Sequence, residues 1–327
     1  MKAMILAAGF GTRLFPLTID RTKPAIPFLG RPLIGYVAEY IARFGIKDVV
    51  VNLHHQPQSV MEALGDGTRF GVHIDYTLEQ PGILGTSGAL DNARELLEDD
   101  TFLIVNGKII TDIDLSAAIK THKREGALAT MVLKPNAKRE KFTEVLVNEG
   151  GVSGFGEYPT STNAEREEPP LMFTGIHILE PRVFDYIPRG VYSDIVPTVY
   201  KPAIQRGERI AAHVTDANWF ELSTIPRYLD ISLAMMNGTN VCLGRDCNIA
   251  ENAAIRNSVL WDGVTVADSA VLSRTIVADG VSIGNGEHFE NAAIVTAESL
   301  RLCDEIPEKA LKGYYQGENY IVPFDQI

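Results

Sequence analysis

A short apolar run that ends in a glycine turn is the feature of this sequence that most constrains its fold. Residues 3–8 (AMILAA) are too few for a buried helix, so the run predicts a buried strand. Gly9 and Gly11 follow, and two glycines one residue apart let the backbone turn tightly with its N–H groups facing a ligand. Arg13 then offers a planar, permanently charged guanidinium for phosphate oxygens, and Lys23 comes ten residues later. The pattern predicts a polyphosphate-binding loop, with an ordinary turn carrying two surface cations as the alternative.

The residues after this turn predict a parallel sheet. Apolar side chains recur at helical spacing between Pro32 and Gly45, residue types that commonly begin and end a helix. The run DVVVNL at 48–53 predicts a second buried strand. Two strands joined by a helix form a βαβ unit, so we expect a mainly parallel sheet covered on both faces.

The glycine turn lies in a longer string, AAGFGTRLFPLT, which is followed by TKPAIPFLGRPLI. Together they resemble the signature of the sugar-1-phosphate nucleotidyltransferases (nucleotide-sugar pyrophosphorylases), which usually reads AAGxGTRLxPLT, then PKP, then PLI. The resemblance implies that an NTP lies across the turn, with Arg13 and Lys23 as catalytic contacts to its phosphates. Thr22 stands where the family usually has proline. The nucleotide-binding residues implied in this segment are Ala8, Gly9, Gly11, Thr12 and Arg13.

Residues 79–90 (EQPGILGTSGAL) contain three glycines and two hydroxyl side chains. Chemistry alone predicts a loop and a helix that Thr86 or Ser87 could cap. The segment resembles the family's LGTAGAL, which holds the nucleobase with backbone groups, and this implies that role for Glu79, Gly85 and Thr86. The LGT-x-G form is most similar to mannose-1-phosphate guanylyltransferases and hexosamine-1-phosphate uridylyltransferases, so guanine and uracil both stay open.

The stretch NGKIITDID at 106–114 follows another buried strand and departs from the family pattern. The family reads NGD here, and its aspartate helps to hold a catalytic Mg²⁺. Lys108 replaces that aspartate, and we assign it to the catalytic residues and Asn106 to the sugar-binding residues. Asp112 is a candidate metal ligand, whereas Asp114 fits the N-cap of the helix that follows.

Three later segments resemble the family's sugar and metal sites. GFGEYP is similar to F-x-E-K-P, which implies that Glu157 binds the sugar, with Tyr158 in place of a phosphate-binding lysine. MFTGIHIL is similar to N-A-G-x-Y-x-L, in which Gly175 would let the sugar approach the backbone. WFELSTIPRYL is similar to W-x-D-x-G-T-P-x-x-Y-L, which places Glu221 at a Mg²⁺-binding aspartate.

The sequence pattern changes after residue 238. The motif Asp-Gly-Val at 262–264 recurs at 279–281, and β-branched apolar residues come every five or six positions, as in hexapeptide repeats. We interpret this as a short left-handed β-helix with a structural or oligomerising role, and the strands of a small sandwich are the alternative. The predicted domains are a nucleotidyltransferase domain at 1–238, the β-helix at 239–297 and a docking tail at 298–327.

Composition narrows the expected partners and location. A net charge of −12 over 327 residues argues against a nucleic-acid or anionic-membrane surface, since both need clustered Lys and Arg. No apolar stretch approaches the roughly 20 residues of a membrane helix. The three cysteines form neither a CxxC pair nor an even set, so we expect no metal or disulfide framework and a cytoplasmic location.

The combined expectation is an α/β protein: a Rossmann-like nucleotidyltransferase domain with a mainly parallel mixed sheet, followed by the β-helix. The resemblance implies an enzyme that joins an NTP to a sugar-1-phosphate and releases pyrophosphate. We expect Mg²⁺ to come with the NTP, and a homo-oligomer to form through the β-helix. The altered residues at 108, 158 and 221 leave a second function open, a catalytically weak regulatory or scaffolding subunit that binds nucleotide sugars.

Overall fold

A computed structural model of the protein describes residues 1–157, 167–236, 238–303, 306 and 312–326. Tyr158, predicted to replace a lysine of the family, lies outside the described residues. By its contacts the chain divides into two compact units, and the domain limits at 238 and 297 stay predictions. The first unit comprises Met1–Gly9, Tyr36–Pro57 and Leu64–Trp219, and the second comprises Phe10–Gly35, Gln58–Ala63 and Phe220–Ile327.

The secondary structure follows the chain in this order. The strands are β1 (Lys2–Leu6), β2 (Pro27–Phe28), β3 (Arg31–Pro32), β4 (Asp48–Leu53), β5 (His73–Leu78), β6 (Phe102–Asn106), β7 (Ile109–Thr111), β8 (Ala129–Pro135), β9 (Glu144–Asn148), β10 (Gly151–Gly156), β11 (Leu171–Leu179), β12 (Ile210–Val214), β13 (Trp219–Glu221), β14 (Val241–Leu243), β15 (Asn248–Ile249), β16 (Ala254–Arg256), β17 (Ser258–Leu260), β18 (Thr265–Val266), β19 (Val271–Val277), β20 (Ser282–Ile283), β21 (His288–Thr296), β22 (Tyr314–Gln316) and β23 (Asn319–Pro323). The α-helices are α1 (Leu33–Arg43), α2 (Pro57–Leu64), α3 (Gly85–Asn92), α4 (Arg94–Leu97), α5 (Leu115–Glu125), α6 (Lys201–Gln205), α7 (Ile225–Met235) and α8 (Ala297–Arg301).

The first unit is built on a nine-stranded mixed sheet with the order β5-β4-β1-β6-β11-β8-β12-β10-β9. The first four strands are parallel neighbours, and β8 pairs with β12 in parallel as well. In contrast, β11 runs antiparallel to both β6 and β8. The inner strands β1, β4 and β6 are nearly continuous apolar runs, as expected for strands covered on both faces. The predicted mixed, parallel-rich α/β sheet is therefore confirmed.

The observed ends of α1 and α5 agree with the glycine and capping residues in the sequence, whereas those of α3 differ from the prediction. The predicted first helix is α1, and Gly45 follows it in the left-handed region at φ 78°. Asp114 is the N-cap of α5, since its carboxylate accepts hydrogen bonds from the N–H groups of Ser116 and Ala117. The helix predicted to begin near Thr86 or Ser87 begins at Gly85 instead, and it is broken at Ala93 into α3 and α4.

In the second unit, the strands from β14 to β21 stack in parallel with a spacing of 17 residues. They form three stacks. The first contains β14, β17 and the later halves of β19 and β21, and the second contains β15, β18 and β20. The third contains β16 and the earlier halves of β19 and β21. The repeated aspartates brace successive turns, because Asp279 Oδ1 accepts a hydrogen bond from the N–H of Asp262 at 2.9 Å. Val264 and Val281, which follow these aspartates, are fully buried in the core of the stack.

The C-terminal segment completes one side of this stack. Strand β23 runs antiparallel to the second half of β21, and β22 pairs with β23 in turn. Within the described ranges, no helix is long and apolar enough to cross a bilayer. None of the cysteines Cys242, Cys247 and Cys303, all of which are described, forms a disulfide.

Candidate functional site

The first unit brings several predicted site residues to one edge of its sheet. Strands β5, β4, β1 and β6 are parallel neighbours, so their carboxyl ends meet at the same edge. Ala8, Glu79 and Asn106 all lie there, at or just beyond the end of a strand. Lys108 is two residues beyond Asn106 and half-buried. Ligands of open α/β sheets characteristically bind at this edge.

A chain of hydrogen bonds joins three of these strand ends. The N–H of Ala7 donates to Asn52 Oδ1 at 2.9 Å, and Asn52 Nδ2 donates to Glu79 Oε1 at 2.6 Å. The second oxygen of Glu79 accepts from the N–H of Leu84 at 2.6 Å. Glu79 is fully buried, and both of its carboxylate oxygens are engaged within the protein. Glu79 therefore ties the entry of the glycine turn to residues 84–88, where α3 begins.

The start of α3, at residues 84–88, is held by residues more than 100 positions later in the chain. The N–H groups of Ser87 and Gly88 both donate to the carbonyl of Ser193, at 2.9 and 3.1 Å. The N–H and hydroxyl of Thr86 lie 3.2 and 3.3 Å from Asp194 Oδ1, and the same hydroxyl accepts from the N–H of Ile195. Thr86 is thus fastened in place through both its N–H and its hydroxyl.

Gly85 is required for the approach of these two segments. Its φ of +74° lies in the left-handed region, and a Cβ at this position would lie 2.6 Å from the carbonyl oxygen of Ser193. The backbone therefore passes against the 193–195 segment at a distance that only glycine permits.

The predicted sugar-binding residues Asn106 and Gly175 lie side by side. Strand β11 pairs with β6 so that Ile176 is opposite Val105, and Gly175 has φ +81°. A Cβ on Gly175 would overlap the side chain of Asn106. In this structure the glycine makes room for an asparagine side chain. Glu157 follows β10 directly and is exposed.

The second unit brings together the glycine turn and the predicted lysine. Gly11 adopts φ 68° and precedes a 3₁₀ turn over Thr12–Leu14. A Cβ on Gly11 would lie 3.1 Å from Lys23 Cβ and 3.2 Å from Lys23 N, so a side chain here would press on the lysine backbone. Lys23 is buried with only 6 % of its surface exposed, whereas Arg13 is exposed. The predicted polyphosphate-binding loop thus has one buried cation, Lys23, and one accessible cation, Arg13.

The described residues do not fit a metal ion held by the protein alone. Among them, no group of three or more His, Cys, Asp or Glu side chains is arranged around a common point. Both carboxylate oxygens of Asp112 accept hydrogen bonds from Asn218. The backbone N–H donates to Oδ1 at 2.8 Å, and the side-chain Nδ2 donates to Oδ2 at 2.7 Å. Asp112 thus closes a loop in the first unit, and Glu221, in the second, is buried with 8 % exposed.

Sequence reasoning missed the residues that hold the site in place. Asn52 left a signal, because a lone amide in the apolar run DVVVNL needs hydrogen-bond partners when it is buried. No sequence signal indicates Ser193 and Asp194, since nothing local connects them with residues 84–88 at the start of α3.

The chain is similar to known proteins of one family. Residues 2–238 match a family model described as nucleotidyl transferase, and residues 225–307 match one described as the GMPPB C-terminal domain. The chain is similar to a UTP–glucose-1-phosphate uridylyltransferase of Synechocystis sp., with 34 % identity over 241 residues, 70 % of this chain and 61 % of that protein. It is also similar to an N-acetylmuramate alpha-1-phosphate uridylyltransferase of Neisseria meningitidis, with 33 % identity over 231 residues, 69 % of this chain and 95 % of that protein.

A third relative is a mannose-1-phosphate guanylyltransferase of Mycobacterium tuberculosis, 28 % identical over 248 residues, 73 % of this chain and 65 % of that protein. The matches to the first and third relatives therefore span less than two thirds of those proteins. A crystal structure assigned as a glucose-1-phosphate thymidylyltransferase of Bacillus anthracis shares the fold, with a TM-score of 0.61 and 21 % identity over 73 % of this chain and 96 % of that one. Since the first family model covers well over half of the sequence, the predicted resemblance is confirmed and the chain belongs to the nucleotidyl transferase family.

Proposed function

We propose that the protein transfers a nucleotidyl group from an NTP to a sugar-1-phosphate, giving an NDP-sugar and pyrophosphate. The observation that carries the proposal is the packing of Gly11 against the buried Lys23. In a chain of this family, this arrangement would form the phosphate-binding site. The names of the relatives, which are uridylyl- and guanylyltransferases, support uracil or guanine as the base.

The reaction needs positioning and neutralisation of charge rather than a covalent intermediate. A phosphate oxygen of the sugar-1-phosphate would attack the α-phosphate of the NTP in line, and pyrophosphate would leave. Arg13 and Lys23 would neutralise the charge that develops on the pyrophosphate. Gly85 and the backbone fastened by Glu79 would position the base. Asn106 and Glu157 would orient the sugar.

We further propose that Lys108 supplies positive charge where related enzymes hold a metal ion. Members of this family generally use a divalent metal, but the carboxylate of Asp112 is engaged by Asn218 and no cluster of three ligands occurs among the described residues. A lysine ammonium is a compact cation that can bind phosphate as a point charge. A divalent ion such as Mg²⁺ would then enter as a complex with the NTP.

Metal binding without nucleotide tests the role of Lys108. We expect Lys108→Asp to bind Mn²⁺ in the absence of NTP, detected by electron paramagnetic resonance, whereas the wild type and Lys108→Asn do not. Turnover of Lys108→Asp should rise with Mg²⁺ beyond the concentration that saturates the NTP. Tight Mn²⁺ binding by the nucleotide-free wild type would contradict the proposal.

A panel of UTP, GTP, dTTP and ATP against mannose-, glucose- and N-acetylhexosamine-1-phosphates tests the function itself. Released pyrophosphate is measured for the wild type, for Arg13→Ala and for Arg124→Ala, which removes an exposed arginine of α5 as a matched control. We expect turnover with at least one pair, a loss of about 10-fold or more in Arg13→Ala and little change in Arg124→Ala. Thermal shifts with nucleotide but no pyrophosphate from any pair would favour the regulatory subunit instead.

Three further parts of the proposal concern the whole chain. The 17-residue coils with three stacks of short strands support a left-handed β-helix. We propose that the protein assembles as a homo-oligomer through this region and works in the cytoplasm. Light scattering of the full chain measures the oligomeric state.

A further inference from the structure

The segment that carries Lys23 is contacted on both sides by residues from the C-terminal part of the second unit. Arg21 lies two residues before Lys23, and Pro27 lies four residues after it. Each of them contacts a side chain beyond residue 225. Because Gly11 packs directly on Lys23, whatever fixes this segment also fixes the glycine turn.

The guanidinium of Arg21 is enclosed by two carboxylates and an indole ring. Its Nε and Nη2 donate to the two oxygens of Asp20, each at 2.8 Å, and Nη2 lies 2.7 Å from Asp279 Oδ2. Its central carbon lies 5.4 Å from the centroid of the Trp261 ring, within cation–π range. Burial alone would lower the pKa of Arg21, but the two carboxylates more than offset it and raise that pKa. The arginine is therefore held permanently charged between fixed partners.

Asp279 and Trp261 belong to the stacked coils. Asp279 begins the second Asp-Gly-Val repeat, and its Oδ1 is oriented by the N–H of Asp262, which leaves Oδ2 to face Arg21. Trp261 is 4 % exposed, and its Nε1 donates to the hydroxyl of Tyr228 at 3.1 Å. That hydroxyl donates to the carbonyl of Pro27 at 2.6 Å. The coils therefore reach the segment before and after Lys23.

We propose that the stacked coils position the phosphate-binding segment, with Asp279 and Trp261 acting on Lys23 through Arg21 and Pro27. The inference rests on the proposed function for the role of Lys23, and it assigns the coils a part in the reaction in addition to assembly. Asp279 and Trp261 are positioning residues, because their polar atoms are used within the protein. Asp279 and Trp261 therefore affect the binding of the triphosphate, since the segment they hold carries the phosphate-binding Lys23.

Asp279→Asn provides a conservative test. The asparagine keeps an oxygen that can accept from the N–H of Asp262, but it removes the charge that faces Arg21. Asp262→Asn is the matched control, because it makes the same change one repeat earlier, where the partner is the exposed Arg245. We expect Asp279→Asn to weaken UTP and GTP binding about 3- to 10-fold, the size of one lost charge-assisted hydrogen bond. We expect Asp262→Asn to stay within about twofold of wild type, as for an exposed ion pair.

Two further readouts separate positioning from general destabilisation. Binding of UMP and GMP, which lack the β- and γ-phosphates, should be unchanged in Asp279→Asn. Hydrogen exchange of the backbone amides in residues 21–28 should become faster in Asp279→Asn and not in Asp262→Asn. Equal losses for monophosphates and triphosphates, equal effects of the two variants, or unchanged exchange at 21–28 would each overturn the proposal.

The exchange measurement also keeps this inference distinct from the proposed function. If the wild type bound neither UTP nor GTP, the proposed function would fail. Faster exchange at 21–28 in Asp279→Asn alone would then still show that the coils hold the segment, and unchanged exchange would refute that as well.

Discussion

Glu79, which is buried, and Thr86, which is half-buried, are both held by hydrogen bonds within the first unit. The resemblance implies that both lie in the segment whose backbone groups hold the nucleobase, and the polar side-chain atoms of each fasten other residues of the first unit. A buried carboxylate without such partners would cost several kcal/mol, so the hydrogen bonds are a condition of its burial. We therefore interpret these residues as supports for the backbone that would contact the base.

Thr22 is a buried residue whose hydroxyl has no hydrogen-bond partner among the described residues, while its N–H donates to Ser59 Oγ at 3.1 Å. Thr22→Val removes the unpaired hydroxyl and keeps the backbone bond. We expect the free energy of unfolding in denaturant to rise by about 1 kcal/mol. Thr18→Val is the control, since the Thr18 hydroxyl faces the carbonyl of Gly11 at 3.4 Å. A lower stability of Thr22→Val would contradict the prediction.

We expect His177 to make the stability of the protein sensitive to acid. Burial lowers the pKa of His177 from 6.5 to about 3, and its Nδ1 is hydrogen-bonded to the hydroxyl of Tyr200. In the unfolded chain the His177 imidazole takes up a proton below about pH 6.5, whereas in the folded protein it stays neutral down to about pH 3. The free energy of unfolding should therefore fall as the pH decreases through this window.

The measurement compares unfolding at pH 7 and pH 4.5. His177→Asn does not titrate and can still pair with Tyr200, so its stability should decrease less between the two pH values. The exposed His73 provides the control, and His73→Asn should behave like the wild type. Equal losses in the wild type and His177→Asn would contradict the assignment.

At the scale of elements, α3 begins without a cap from its own sequence. Its N-cap residue is Leu84, which makes no side-chain hydrogen bond. The carboxylate of Asp194 and the carbonyl of Ser193 instead accept from the first N–H groups of the helix. A negative charge at a helix N-terminus is also favourable for the helix dipole. A distant segment therefore does the work that local capping residues do in α5.

Asp194→Ala should loosen the start of α3. We expect a loss of about 1 kcal/mol in the free energy of unfolding, the usual cost of removing a cap. Given the proposed function, the KM for the NTP should also rise, because Gly85 and Thr86 begin this helix. Asp194→Asn keeps an acceptor and should lie between Asp194→Ala and the wild type. Identical stability of all three proteins would show that the carboxylate is not a cap.

At the scale of the whole molecule, β23 covers an edge that the coil stack would otherwise expose. Ile321 and Val322 of β23 are buried and pair with Ile294 and Ala293 of β21. Deleting residues 312–327 would leave the later half of β21 unpaired on that side, and open edges invite association with other chains.

We expect this deletion to lower the melting temperature and to produce higher assemblies by light scattering. The buried Ile321 and Val322 alone contribute about 1.5–3 kcal/mol each. Tyr314→Ser, which trims an exposed side chain of the same hairpin and leaves the edge covered, should change neither property. A truncated protein with unchanged melting temperature and mass would contradict the role of β23.

The sequence by itself determined the parts of this protein that depend on neighbouring residues. The apolar runs specified the inner strands, the Gly and Asp signals specified the limits of α1 and α5, and the repeated Asp-Gly-Val motif specified the 17-residue spacing of the coils. The family was readable for the same reason, because its phosphate-binding motif is one continuous string. Handedness of the coils and the roles of the site residues stay predictions.

Tertiary structure alone decided which distant groups satisfy the buried polar atoms. The pairing of Asn52 with Glu79, of Thr86 with Asp194 and of Arg21 with Asp279 joins residues whose separation in sequence carries no periodic signal. A buried carboxylate, amide or guanidinium must find partners, but its chemistry does not say where along the chain they lie. These partners are set by the packing of the folded chain. Packing places Leu84 against Glu79, and it places Asp279 of the stacked coils against Arg21 in the segment that carries Lys23.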